Sequence, residues 1–110
     1  MYYMLMNLFL VLFVCVPFKA FAEIETHTIV LKDHMFTPAE LTVSANQKIN
    51  LIIDNQDPTP EEFESFDFNR EKIVAGNKKI QVHIGPLKAG QYKYFGEFHK
   101  ATAQGIVVVK

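Results

Sequence analysis

The chain reads as a small all-β protein, a sandwich or barrel of two packed sheets. Apolar and polar residues alternate in several short runs, and clusters of Gly, Pro, Asn, Asp or Ser bound each run. No stretch sustains a helical period. The first run, Thr26 to Asp33 (THTIVLKD), interleaves polar and β-branched positions. A short alternation follows in AELTVS, from Ala39 to Ser44. KINLIIDN puts Ile49, Leu51 and Ile53 on one face, because successive strand side chains point to opposite sides. KKIQVHIGP sets Ile80, Val82 and Ile84 against Lys79, Gln81 and His83 in the same way. GQYKYFG and GIVVVK close the chain with an aromatic-rich and a valine-rich strand, giving six or seven strands in all.

A chain of 110 residues with 49% hydrophobic and 21% charged residues has material for one core. Residues 1–22, MYYMLMNLFLVLFVCVPFKAFA, are more apolar than anything after them. Their apolar run is shorter than the roughly 20 residues a membrane span needs. The segment ends in AFA, the small-x-small pattern of a cleavage site, so residues 1–22 are expected to be a secretory signal and residues 23–110 an exported domain. No Lys or Arg precedes the apolar run, which leaves the positive charge to the amino terminus or to a later start at Met4 or Met6. Cleavage removes Lys19 and Cys15 and leaves ten basic residues against twelve acidic ones. That balance has no basic stripe to neutralise phosphates, so nucleic acid is not an expected partner. The remaining domain has no cysteine and must be held by its core alone.

The least regular stretch is Asp54 to Gly76, DNQDPTPEEFESFDFNREKIVAG, expected to be largely a loop. Pro58 and Pro60 stiffen it just before Glu61 and Glu62. Its acids, Glu61, Glu62, Glu64 and Asp67, have two readings: a solvated edge that discourages sheet-to-sheet association, or a source of ligands. The second concentration of polar chemistry is Glu97 and His99, in a short loop before the last strand. If that loop is extended, the two side chains are expected to point into one mouth.

The order FTPAELTV, INLIIDNQDPTPEEFES, GPLKAGQYKYFGEFHKATAQGIVVVK resembles the cupredoxins, the Greek-key β-sandwiches of small copper proteins, over essentially all of Thr26 to Lys110. The similarity rests on Phe36-x-Pro38, on the Gly-x-Tyr-x-Tyr-Phe entry at Gly90 to Phe95, and on the valine-rich end. It implies a metal site at one pole of the sandwich. The family's second histidine falls on His99, its axial ligand near Gln104, its cysteine on Gly96 and its first histidine on Glu61. Two of those four positions have changed, and without a thiolate the His₂Cys blue-copper arrangement cannot be built. PEEFES, REK and GEFH further resemble a subfamily of periplasmic cupredoxin-like proteins associated with bacterial iron permeases. The run Glu62-Phe63-Glu64 is also similar to a Glu-aromatic-Glu motif in the cupredoxin domain of periplasmic ferrous-iron uptake components.

What the resemblance implies is a periplasmic protein with a non-blue copper or iron ion, acting beside a membrane iron permease and its associated periplasmic proteins, in handling electrons or iron itself. The expected metal ligands are His99, Glu97, Glu61 or Glu62, Glu64 and Met35. Met35 has the alternative of filling a gap in the core. His34 is read as an extra ligand or as an exposed turn residue, while His27 and His83, on strands, are read as structural. A metal-free module that docks on a transporter through its acidic loop is the alternative function. A ferroxidase is a third. No hydrolytic triad, phosphate-binding loop or nucleophile elbow is present in the sequence.

Overall fold

The computed structural model describes residues 10–15 and 24–110. The expected signal segment therefore lies outside the described residues except for 10–15, which are exposed and without regular structure. Among the described residues no helix is long and apolar enough to cross a membrane.

Two sheets pack face to face. The first has the order β2-β1-β4-β7, from β1 (Glu25–Lys32), β2 (Met35–Thr37), β4 (Ile49–Asn55) and β7 (Lys79–Ile84). The second has the order β3-β9-β8-β5-β6, from β3 (Glu40–Val43), β5 (Glu61–Ser65), β6 (Arg70–Val74), β8 (Gly90–Gly96) and β9 (Gln104–Val109). Each predicted alternation becomes a strand that buries its apolar face. Ile49, Leu51 and Ile53 are all buried, as are Val82 and Ile84 opposite them. Phe36, Phe63 and Tyr94 meet at the centre with ring centroids 5.1 to 6.3 Å apart, within the range of favourable aromatic packing.

The stretch expected to be a loop contains a hairpin instead, β5 paired with β6 from Glu61↔Val74 to Ser65↔Arg70. Its alternation was hidden because two of the three inward positions of β5 are polar, Glu61 and Ser65, on either side of Phe63. The Ser65 hydroxyl is satisfied by donating to the Lys93 carbonyl at 2.6 Å. Burial of Glu61 has a different explanation, at the pole.

That pole follows from the pairings. Strands β1 and β4 run parallel and finish together at Leu31↔Asn55, while β5 begins where the antiparallel β8 ends, at Phe63↔Gly96. The crossing from one sheet to the other, residues 56–60, thus passes beside both the β1–β2 turn and the β8–β9 connection. Three segments distant in sequence meet at one end of the sandwich.

Candidate metal centre

Asn55 organises the crossing. It is buried, its amide donates to the carbonyls of Thr59, Ala75 and Val74 at 2.9 to 3.4 Å, and its Oδ1 accepts from the Asp57 backbone at 3.0 Å. This turn carries Asp57 under the β1–β2 hairpin, where its carboxylate accepts the backbone N–H groups of Asp33 (2.8 Å) and His34 (3.0 Å). Asp33 and His34 both have positive φ, 52° and 57°, so the carboxylate steadies a conformation that neither residue favours on its own. Burial opposes the charge on Asp57, but the N–H groups of His34 and Asp33 and the nearby imidazoles of His34 and His99 outweigh it, and its pKa lies below the usual aspartate value. The Nδ1 of His34 lies 3.4 Å from the same carboxylate.

Glu61 forms a parallel arrangement from the other sheet. Its side chain is almost wholly enclosed, and it accepts three N–H groups: Glu62 backbone at 3.0 Å, Phe98 backbone at 2.7 Å, and Nδ1 of His99 at 2.7 Å. A buried carboxylate is tolerated because its oxygens are met by oriented donors. Its seat exists because residue 96 is glycine. A Cβ there would lie 2.6 Å from the Glu61 carboxyl carbon and 2.8 Å from the Ala103 Cβ. The position onto which the resemblance mapped a cysteine is therefore filled by the carboxyl group of Glu61.

With Nδ1 donating to Glu61, the neutral ring of His99 takes the tautomer whose Nε2 keeps its lone pair. That nitrogen has no hydrogen-bond partner among the described residues, and the side chain is 30% exposed. The rings of His34 and His99 stack, with centroids 3.6 Å apart and planes within 10°. The pole thus presents two imidazoles, each backed by a carboxylate.

The structure divides the expected ligand residues. Glu61 and His99 meet. Glu97 does not join them, because Glu97–His99 is a tight 3₁₀ turn and not an extended loop, so side chains two apart diverge. Glu97 pairs with Lys100 at 3.2 Å and lies near Glu64. Glu62 and Glu64 occupy the outer face of β5, as the strand period requires once Glu61 points inward. There Glu62, Glu64 and Glu71 bring one carboxylate oxygen each within 4.8 Å of one another. A hydrogen bond to Glu71, desolvation and the charges of Glu71, Glu64 and Glu97 raise the Glu62 pKa to about 7. Glu64 is raised as well, by desolvation and then by Glu97 and Glu71. Met35 is 53% exposed beside His34 and fills no core gap. Gln104 is turned to the outer surface, donating to the Lys100 carbonyl. His27 pairs with Glu25 at 2.8 Å, and His83 is exposed on β7. Asn55 and Asp57 were not singled out from sequence; the Asx turn spelled by Asn-x-Asp before Pro58 is the signal that marks them.

The sequence profile of the cupredoxin-like domain family matches residues 5–109. The chain belongs to this family. A relative, the uncharacterized protein RP394 of Rickettsia prowazekii (strain Madrid E), is 51% identical over 81 residues, which cover 74% of this chain and 65% of that protein. Among solved structures, the cupredoxin-like fold is shared with auracyanin A, a "blue" copper protein from Chloroflexus aurantiacus, at a TM-score of 0.69 and 20% identity over 80% of this chain and all of that one. The metal-binding domain of the Cu(I)-exporting P-type ATPase CopA of Streptococcus pneumoniae, solved with Cu(I), also has a TM-score of 0.69, at 10% identity over 77% of this chain and 84% of that one. The cupredoxin-like domain here has no cysteine from residue 23 onward, so its donors at the pole are nitrogen, oxygen and thioether sulfur. Imidazoles oriented by buried carboxylates suit a first-row transition metal, copper included.

Proposed function

We propose that this cupredoxin-like protein binds a copper ion at the pole of the sandwich, in a site without thiolate, and serves iron uptake in the periplasm beside a membrane iron permease. The observation that carries the metal reading is the Glu61–His99 pair, a buried carboxylate gripping Nδ1 at 2.7 Å behind an imidazole open to solvent. Carboxylate–histidine pairs of this kind fix the ring and raise the basicity of its outward nitrogen. When bound, copper would supply one-electron redox chemistry. The protein's part is to hold His99 in one orientation and to keep Glu61 dry. The iron-uptake role is supported by the likeness of PEEFES and GEFH to iron-permease-associated proteins, and those segments contain Glu61 and His99.

Titration of the metal-stripped protein with Cu(II), Fe(III) and Zn(II) tests the reading. One equivalent of copper is expected to bind, and His99→Ala to abolish that binding. Identical behaviour of the two proteins would overturn it. Iron(II)-dependent oxygen consumption by the copper-loaded protein separates iron oxidation from simple electron carriage. A second reading, docking on a transporter through the acidic side, is favoured by the crowding of Glu62, Glu64 and Glu71, and predicts partner binding without any metal.

A further inference from the structure

We propose that His34, from the β1–β2 turn, supplies a second imidazole ligand, so that the ion is held between the Nε2 atoms of His34 and His99. This rests on the copper reading above and adds to it a residue from a segment that supplies no ligand in the arrangement mapped from sequence. Three observations carry it. The two rings already lie side by side at the pole, 3.6 Å between centroids and 10° between planes, and rotation of a ring about its Cβ–Cγ bond brings their lone pairs, which lie in parallel planes in the stack, to converge on one ion. Each ring has its own carboxylate at Nδ1, Glu61 at 2.7 Å for His99 and Asp57 at 3.4 Å for His34, and neither Nε2 has a hydrogen-bond partner among the described residues. The turn holding His34 is fixed in place: Asp33 and His34 form the two-residue loop of the β1–β2 hairpin, with positive φ at both, and both backbone N–H groups are tied to Asp57.

Met35, next in the chain and 53% exposed, leaves a thioether at the same turn. Two imidazoles with a thioether suit copper in both oxidation states, since the nitrogens serve Cu(II) and the soft sulfur favours Cu(I).

The test is copper binding in both oxidation states, by competition with a chromophoric chelator, together with X-ray absorption of the loaded protein. The proteins compared are the wild type, His34→Asn, His99→Ala and Met35→Leu. Asparagine is chosen at residue 34 because it tolerates φ near +57° and so spares the turn; a thermal melt checks that it does. Loss of a ligand should exceed the roughly 10- to 100-fold cost typical of an outer-shell change, so His34→Asn is expected to weaken copper by more than about 100-fold and to remove one imidazole from the absorption spectrum. Met35→Leu is expected to remove the sulfur scatterer and to weaken Cu(I) more than Cu(II). Copper bound by His34→Asn as tightly as by wild type, with His99→Ala still defective, would overturn the role of His34 while leaving the copper site standing. Failure of the wild type itself to bind copper would instead overturn the reading on which it rests.

Discussion

Glu61 and Glu62 are neighbours on one strand with opposite surroundings. Glu61 points inward, is 1% exposed and meets three N–H donors, whereas Glu62 points outward to a face where its nearest polar neighbours are other carboxylates. The strand period decides which residue faces which side, and the donors decide what the charge can do there. An enclosed acid surrounded by N–H groups becomes a rigid fixture of the pole. A more exposed one among like charges takes up a proton near neutrality.

Removing the inner carboxylate breaks this contrast most severely. Glu61→Ala leaves the N–H groups of Glu62, Phe98 and His99 without their acceptor and is expected to cost about 3 kcal/mol in chemical denaturation, since stranded buried donors lose their full compensation. Next comes the seat of that carboxylate. Gly96→Ala puts a Cβ into the space of Glu61 and Ala103, with an expected cost of about 1–3 kcal/mol and displaced His99 ring signals in NMR spectra.

The outer face is tested by pH. Because the Glu62 pKa is raised to about 7 from an ordinary 4.5, the folded chain binds more protons than the unfolded chain between those values, and this group's contribution to stability falls as pH rises through them. Asp57 and Glu25 are shifted downward, so their contributions are complete above the ordinary carboxyl range and disappear as pH falls through and below it. Melting temperature is therefore expected to decline from about pH 5 to about pH 7, and Glu71→Gln to flatten that decline. An unchanged slope in Glu71→Gln would dissolve the carboxylate crowding. The smallest effect is at Glu97, whose contact with Lys100 is an i,i+3 pair at the surface, worth about 0–1 kcal/mol. Glu97→Gln is expected to leave copper affinity unaltered, which separates it from His99 two residues on.

The apolar alternations and turn residues made the two sheets legible in sequence, and the resemblance supplied the convergence of Glu61 with His99. The rest depended on backbone detail. Whether Glu61 or Glu62 enters the core turns on a one-residue register, which the polar inward positions of β5 conceal. Glu97 was misplaced because spacing alone cannot distinguish an extended loop from a 3₁₀ turn. His34 was read as no more than an optional ligand because its place beside His99 depends on two consecutive left-handed residues, and Asp57 was not singled out because its position follows from the Asx turn formed by Asn55, which aims it under the β1–β2 hairpin.

At the pole, the enclosed Glu61 holds Nδ1 of His99 and leaves the outer nitrogen of the neutral ring bare. Long-range ¹⁵N–¹H correlation NMR of the metal-free protein reports the tautomer directly. A proton is expected on Nδ1 of His99 and none on Nε2, in wild type but not in Glu61→Ala. A proton resident on Nε2 in the wild-type protein would contradict it.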